Sequence, residues 1–415
     1  MRAMPRTKRP DIEPQDVVGL DYFRKLRPLF EPLHRVACQR DRAGNRTLHY
    51  DQFCCLIMLY MFNPIVSSLR AIQQASELKN VQKKLGCSRA SLGSLSEAAR
   101  VFDPRLLEPI VAELGRKLSP IAGGGGFDQV RRDDVRQLVT LVDGTILKAL
   151  TRITQAMWLT TRSGTVHHAW RLHTQFALDK HAPTRADLTI GRNSGESDER
   201  QVLKRTLEPD HCYVMDRGYA QFALFNAIHD AASSYVCRIR DNSVYDVVED
   251  RTLTDADLAA HVLSDQVVTL GEGRKEGRRP NHPVRVVCVR IKPHDKRTGR
   301  RGNTGAGSSD GVLRIATNLL EVPAEIIAAL YRHRYVIELF FRWFKHVLGC
   351  RHLLSDDPRG IQIQVYCAII ACMLISLYTG RKPTLRTYEM VCYYLMGMAD
   401  QEELLAHIQK LKPQA

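Results

Sequence analysis

The hydrophobic pattern changes along the chain. Residues 18 to 120 carry apolar positions at helical spacing. "YDQFCCLIMLYMF" (50–62) is apolar almost throughout and predicts a central helix. "SSLRAIQQASELKNVQKKLGCSRASLGSLSEAARVF" (67–102) predicts short amphipathic helices around a turn at Gly86. Ser88 is placed to cap the next helix, an arrangement similar to a helix-turn-helix, although many bundles that do not bind DNA share it. The Gly-rich "SPIAGGGGFDQVRRDD" (119–134) interrupts the pattern and reads as a linker.

Beyond it the pattern becomes that of strands alternating with helices. "QLVTLVDGTILKAL", "AWRLHTQFALD", "ADLTIG", "HCYVMDRGYA" and "SSYVCRIRD" predict strands; "SDERQVLKRTL" and "FALFNAIHDA" predict helices. This order predicts an α/β class with helices packed on a central sheet. In this reading Asp143 and Asp216 each sit at the exit of an apolar strand. Residues 242–323 differ: strand candidates surround a basic turn and the Gly-rich "PHDKRTGRRGNTGAGSSDG" (293–311), which reads as unstructured, and "VLRIATNLL" (312–320) is one more strand. They predict a β-rich insertion partly covering a site, with Lys275, Arg278, Arg279, Arg300 and Arg301 exposed.

"YRHRYVIELFFRWFK" (331–345) mixes charge with core-like residues. Wound as one α-helix from Tyr331, Arg334 falls at about 300°, Lys345 at about 320°, Glu338 at about 340° and Arg342 at about 20°. One polar stripe roughly 80° wide results, and apolar residues fill most of the remaining circumference, as in a helix buried on nearly every side. A strip this narrow faces something other than bulk water. It is either a self-paired network, Glu338 with Arg334 and Arg342, or the lining of a site for a polyanion and a metal ion.

Composition narrows the partners. The 415 residues carry 60 Lys+Arg against 45 Asp+Glu, a net charge of +15, which suits nucleic acid or an anionic membrane surface. The longest apolar run, Val365 to Tyr378, is shorter than the roughly 20 residues of a spanning helix and reads as a core helix. No hydrophobic signal region follows the basic start, so the expected location is the cytoplasm, with no membrane. The 11 cysteines include no C-x-x-C pair and read as reduced, buried small residues. His167, His168, His173 and His181 lack cysteines at ligand spacing, which disfavours zinc.

Asp143, Asp216 and Glu338 stand out together. A single acid at a strand end is usually a turn or cap residue, but three convergent carboxylates suit hard divalent cations. Two such ions support in-line phosphodiester displacement. Tyr331, Arg334, Glu338 and Lys345 match Y-x-x-R-x-x-x-E-x-x-x-x-x-x-K, and the chain here resembles the insertion-sequence-four group of DDE transposases. "VDGT" around Asp143 and "MDRGY" around Asp216 are similar to that group's first and second acid motifs, over roughly residues 136 to 380. The resemblance implies an RNase H-like catalytic core, a mixed sheet with flanking helices. It implies that Asp143, Asp216 and Glu338 bind two Mg²⁺ ions, which Mn²⁺ can replace, and that Tyr331, Arg334 and Lys345 hold DNA phosphates. Arg342 joins them by its angle alone. In relatives an aromatic residue of the insertion stacks on a flipped base; here the insertion has no Trp, and Tyr235 and Tyr245 stand at its entrance.

The expected organisation is a helical DNA-binding domain (1–120), a linker (121–135), the first part of the core (136–241), the β-rich insertion (242–323), the core helices with the third acid (324–380) and a C-terminal helical region (381–415). The expected function is cut-and-paste transposition: a homodimer on double-stranded DNA, at nucleoid DNA of a prokaryote, joins element ends to target DNA. An RNase H-like nuclease without strand transfer and a non-catalytic DNA-binding domesticated relative are the alternatives.

Overall fold

The computed structural model describes residues 27–35, 46–118, 135–148, 157–160, 166–190, 195–271, 279–291, 311–349, 353–355, 357–379 and 384–411. Its centre is a ten-stranded sheet. The strands are β1 (Leu138–Lys148), β2 (Met157–Thr160), β3 (Val166–Ala177), β4 (Ala182–Ile190), β5 (His211–Met215), β6 (Ser234–Arg238), β7 (Tyr245–Asp250), β8 (Val262–Leu270), β9 (Val284–Arg290) and β10 (Val312–Thr317). β1 pairs antiparallel with β3, which pairs antiparallel with β4. On its other side β1 runs parallel to β5, and β5 parallel to β6. β6 is followed by β10, β9, β8 and β7, all antiparallel, so the strands of the 242–323 segment extend the central sheet rather than forming a separate one.

Side chains two apart on a strand share a face, and the core divides accordingly. Val139, Leu141, Cys212, Val214, Val236 and Ile315 belong to one buried cluster. Val142, Tyr213, Met215, Tyr235 and Cys237 belong to the other. The second face is covered by α6 (Glu199–Lys204) and α7 (Phe222–Asp230), through Leu203, Leu224, Phe225 and Ile228. Tyr235 is part of this core, fully buried and stacked on Phe225 at 4.2 Å, so it presents no ring to a base.

The first face carries the large helical layer. Its N-terminal part comprises α1 (Tyr50–Phe62), α2 (Leu69–Ser76), α3 (Lys79–Leu85), α4 (Leu92–Val101) and α5 (Glu108–Lys117). Within the 242–323 segment lies α8 (Asp255–Ala259); then come α9 (Ala324–His333), α10 (Tyr335–Gly349), α11 (Pro358–Thr379), α12 (Leu385–Leu395) and α13 (Gln401–Lys410). Gly86 ends α3 in the left-handed conformation, φ 65°. The cap of the next helix is Ser91, which accepts from the Ser94 N–H; Ser88 is exposed and three residues too early.

α11 is the hub. The helix is longer than the apolar run alone indicated: 20 of its residues, Pro358–Leu377, meet the length and composition of a membrane span, but 89% of that apolar window is buried inside the protein. Burial, not length, therefore identifies it as a core helix. The Tyr366 hydroxyl donates to Glu108 Oε1 at 3.0 Å and lies 2.9 Å from the Ala186 carbonyl, tying α5 and β4 to it. The buried cluster runs unbroken from Phe30 and α1 through α11 to β1 and β5. The nine described cysteines are all buried.

The single helix expected over 331–345 is two. α9 ends at His333 and α10 begins at Tyr335, with Arg334 between them in helical conformation. There the Ile337 N–H bonds the Arg334 carbonyl three residues back, a tighter turn than the α-helical ladder. α10 is also not buried all round. Ile337, Phe340, Phe341 and Phe344 form its buried stripe, whereas Tyr335, Arg342 and Lys345 are exposed. Aromatic composition made the circumference look apolar; full burial is confined to the i, i+3, i+4, i+7 positions, with Val336 and Trp343 partly buried beside them.

Candidate functional site

The site lies where β1 and β5 part. Val142 and Met215 are the last register partners of this parallel pair, so Asp143 and Asp216 occupy the next positions on neighbouring strands. β5 ends there, whereas β1 continues to Lys148 along β3, with Asp143 opposite Thr174. Asp143 is thus in the middle of its strand, not at its exit, and the departure of β5 is what opens the edge beside it. By alternation both acids continue the face of Leu141 and Val214, the face covered by α9, α10 and α11.

That packing brings in Glu338, in the first turn of α10. Arg334 Nη2 donates to Glu338 Oε1 at 2.5 Å, and Arg334 Nη1 lies 3.6 Å from Asp143 Oδ2. Asp143 Oδ1 accepts from the Gly144 N–H, and Asp216 Oδ1 accepts from the Gly218 N–H as cap of a short 3₁₀ turn. Burial raises the Asp143 carboxyl from 3.8 to about 6, against the pull of Arg334, and Asp216 and Glu338 push the same way. The three acids therefore share one electrostatic environment. Burial disfavours charge on Arg334, but Tyr331, Asp143 and Glu338 more than offset this and hold it more strongly protonated than usual.

The other sequence-predicted residues divide. Tyr331 lies beside Arg334, whose guanidinium is 6.0 Å from its ring centre, and burial pushes its hydroxyl up to about 12. Arg342 does not pair with Glu338. Its guanidinium bonds the Tyr335 hydroxyl and lies 5.3 Å from that ring's centre. Lys345 is exposed one turn further along. Beside Tyr331 and Arg334 opens a cavity of about 870 Å³, lined also by Arg238, Arg290, Arg332 and Tyr335. Of the basic insertion residues, Arg279 is half-buried; Lys275, Arg278, Arg300 and Arg301 lie outside the described residues, as do most of the expected linker and of 293–311. His173 bonds Thr189 and burial lowers it to about 4.

Sequence reasoning missed Glu199, the first residue of α6. It forms an ion pair with Arg171 of β3, and both are largely buried. Its carboxylate lies against Gly144 and Gly218, the glycines that accompany the two aspartates. Those glycines were the available signal, because an acid with glycine close after it marks backbone that something approaches closely.

Residues 135–374 match the family described as "Transposase DDE domain". The chain belongs to this family. Among curated transposase-named proteins, it is 24% identical over 253 residues to "Putative transposase y4zB" of Sinorhizobium fredii, covering 61% of this chain and 64% of that protein. It is 37% identical over 71 residues to "Probable transposase for insertion sequence element IS5377" of Geobacillus stearothermophilus, 17% of this chain and 19% of that one. The chain thus spans less than two thirds of the length of either relative. A solved structure of piggyBac transposase in a synaptic complex with hairpin DNA aligns over 98% of this chain and 87% of that one, at 11% identity and a TM-score of 0.42, below the level at which a shared fold follows. The matched DDE segment includes β1, β5, α9 and α10, hence all three acids and Glu199.

The donor set fits a hard divalent cation in kind: carboxylate oxygens only, with mutual repulsion that bound positive charge relieves. Among the described residues no three potential ligands stand close enough to hold one ion. Arg334 occupies the gap between Asp143 and Glu338 and supplies the positive charge there.

Proposed function

We propose that this chain is a DNA transposase of the insertion-sequence-four group, cutting at the inverted ends of its own element and joining the released 3′-hydroxyl to target DNA. The observation that carries the reading is Arg334, a signature base in contact with two of the three acids while the third stands on the adjoining strand. Membership of the transposase DDE family supports the class of reaction. An RNase H-like core is supported by the order β4-β3-β1-β5-β6, antiparallel up to β1 and parallel beyond it.

In this reading Asp143, Asp216 and Glu338 hold two Mg²⁺ ions. Such a pair, when bound, activates the attacking oxygen and stabilises the leaving one. Arg334 exchanges its carboxylate partners for a DNA phosphate, placing the scissile bond beside the acids. Tyr331 and Lys345 fix the neighbouring phosphates, Arg342 with Tyr335 meets the backbone further out, and the arginine-lined cavity receives the strand leaving the site. Two ends handled together call for a homodimer on DNA.

The test uses the full chain, labelled DNA carrying the flanks of its own gene, a supercoiled plasmid target and Mg²⁺. End cleavage followed by plasmid joining is expected, with both abolished in Asp143→Asn while end binding survives. Cleavage without joined product would favour the nuclease alternative. Unchanged cleavage and joining in Asp143→Asn would remove Asp143 from the chemistry.

A further inference from the structure

We propose that Glu199 is a fourth carboxylate of the cation site, held by Arg171 until a divalent ion draws it in. This rests on the reading of Asp143, Asp216 and Glu338 as the site's acids. Glu199 reaches the site from the opposite layer, on the first turn of α6, whereas Glu338 comes from the layer of α10. A Cβ built on Gly144 would lie 2.7 Å from Glu199 Oε1. A Cβ built on Gly218 would lie 2.9 Å from Asp216 Oδ1 and 4.0 Å from Glu199 Oε2. Both positions are glycine, and each carries the glycine directly associated with an acid: Gly144 follows Asp143, and the Gly218 N–H is donated to Asp216. Any side chain at 144 would displace Glu199, so the backbone beside the first aspartate is bare where this carboxylate sits.

A carboxylate in such surroundings needs a counter-charge. Arg171 provides it, with 15% of its side chain exposed against 13% for Glu199. Burial lowers the Arg171 guanidinium from its usual value, and Tyr219, Asp143 and Asp198 offset this only in part. One arginine from β3 thus neutralises the Glu199 side as Arg334 neutralises the Glu338 side. The two guanidiniums balance a four-acid site from opposite layers, and a divalent cation would replace both at once.

The experiment is Mn²⁺ titration of the full chain, with Mn²⁺ followed by electron paramagnetic resonance and no DNA present, on the parent, Asp143→Asn, Glu199→Gln and Glu199→Asp. Glu199→Gln should weaken Mn²⁺ binding by about 10-fold or more, in the range seen when a shell carboxylate is lost. Glu199→Asp should recover part of that loss. Equal thermal midpoints of metal-free parent and Glu199→Gln would show that folding is not the cause; should Glu199→Gln fail to fold, Glu199→Asp alone decides by weakening or not weakening binding. A parent isotherm in both Glu199 variants, with binding lost in Asp143→Asn, would overturn the role of Glu199 alone. Unchanged binding in Asp143→Asn as well would overturn the underlying assignment of the site.

Discussion

The acids of this site are arranged at a stability penalty that a neutral substitution should reveal. Asp143 has 20% of its side chain exposed, and its carboxyl is raised from 3.8 to about 6, first by burial and then by Asp216 and Glu338, against Arg334. A carboxyl raised on folding favours the folded state below its unfolded value, and that advantage is lost as pH rises through the folded value. At about 1.4 kcal/mol per tenfold, the displacement corresponds to roughly 3 kcal/mol lost between about pH 4 and pH 6. Asn keeps the shape and cannot ionise. Metal-free Asp143→Asn should therefore be about 2–3 kcal/mol more stable than the parent at pH 7.5, with the difference vanishing near pH 4. Urea unfolding in chelator across this range measures it. Saturating Mg²⁺ should reverse the order, because only the parent retains the full acid set to bind it. A variant less stable than the parent at pH 7.5, or a gain that persists unchanged at pH 4, would refute the account of Asp143 as an acid strained by its neighbours.

Two further outcomes follow from Arg334 and Lys345. Arg334→Ala leaves Asp143 and Glu338 facing one another without their shared cation, and metal-free unfolding at pH 7.5 should show a loss of about 3 kcal/mol, the scale for removing one partner of a largely buried pair; a loss below about 1 kcal/mol would mean that the acids are better solvated than their burial indicates. Lys345→Ala removes an exposed cation from α10 and should reduce the slope of log affinity against log salt for DNA by about one, measured by gel shift over a salt series. An unchanged slope would place Lys345 away from the phosphates.

The stripe formed by Tyr331, Arg334 and Glu338 was legible because it is local: residues three and four apart on a helix meet whatever the rest of the chain does. Even there, the bend at Arg334 was not legible, and Arg342 found Tyr335 rather than Glu338. Side chains on an exposed face choose among neighbours of nearly equal reach, and small changes in backbone pitch decide between them. Asp143 was recognised as chemically marked by the apolar run before it, but its place in mid-strand follows from where a different strand, β5, stops. Glu199 carried no periodic signal, since an acid at a helix start is ordinarily a capping residue.

The sequence by itself determined most element types and the buried character of α11, and it marked Asp143, Asp216, Glu338 and Arg334 as residue types suited to metal or phosphate. Each of these is written in spacing over a few turns or a few strand positions. Tertiary structure decided that Asp143 and Asp216 stand on neighbouring strands, that Arg334 reaches both Asp143 and Glu338 while Arg171 pairs with Glu199, and that the 242–323 strands extend the sheet. Those relations join segments distant along the chain. They are fixed by which apolar faces bury each other, and the charged groups those faces carry are brought together as a consequence.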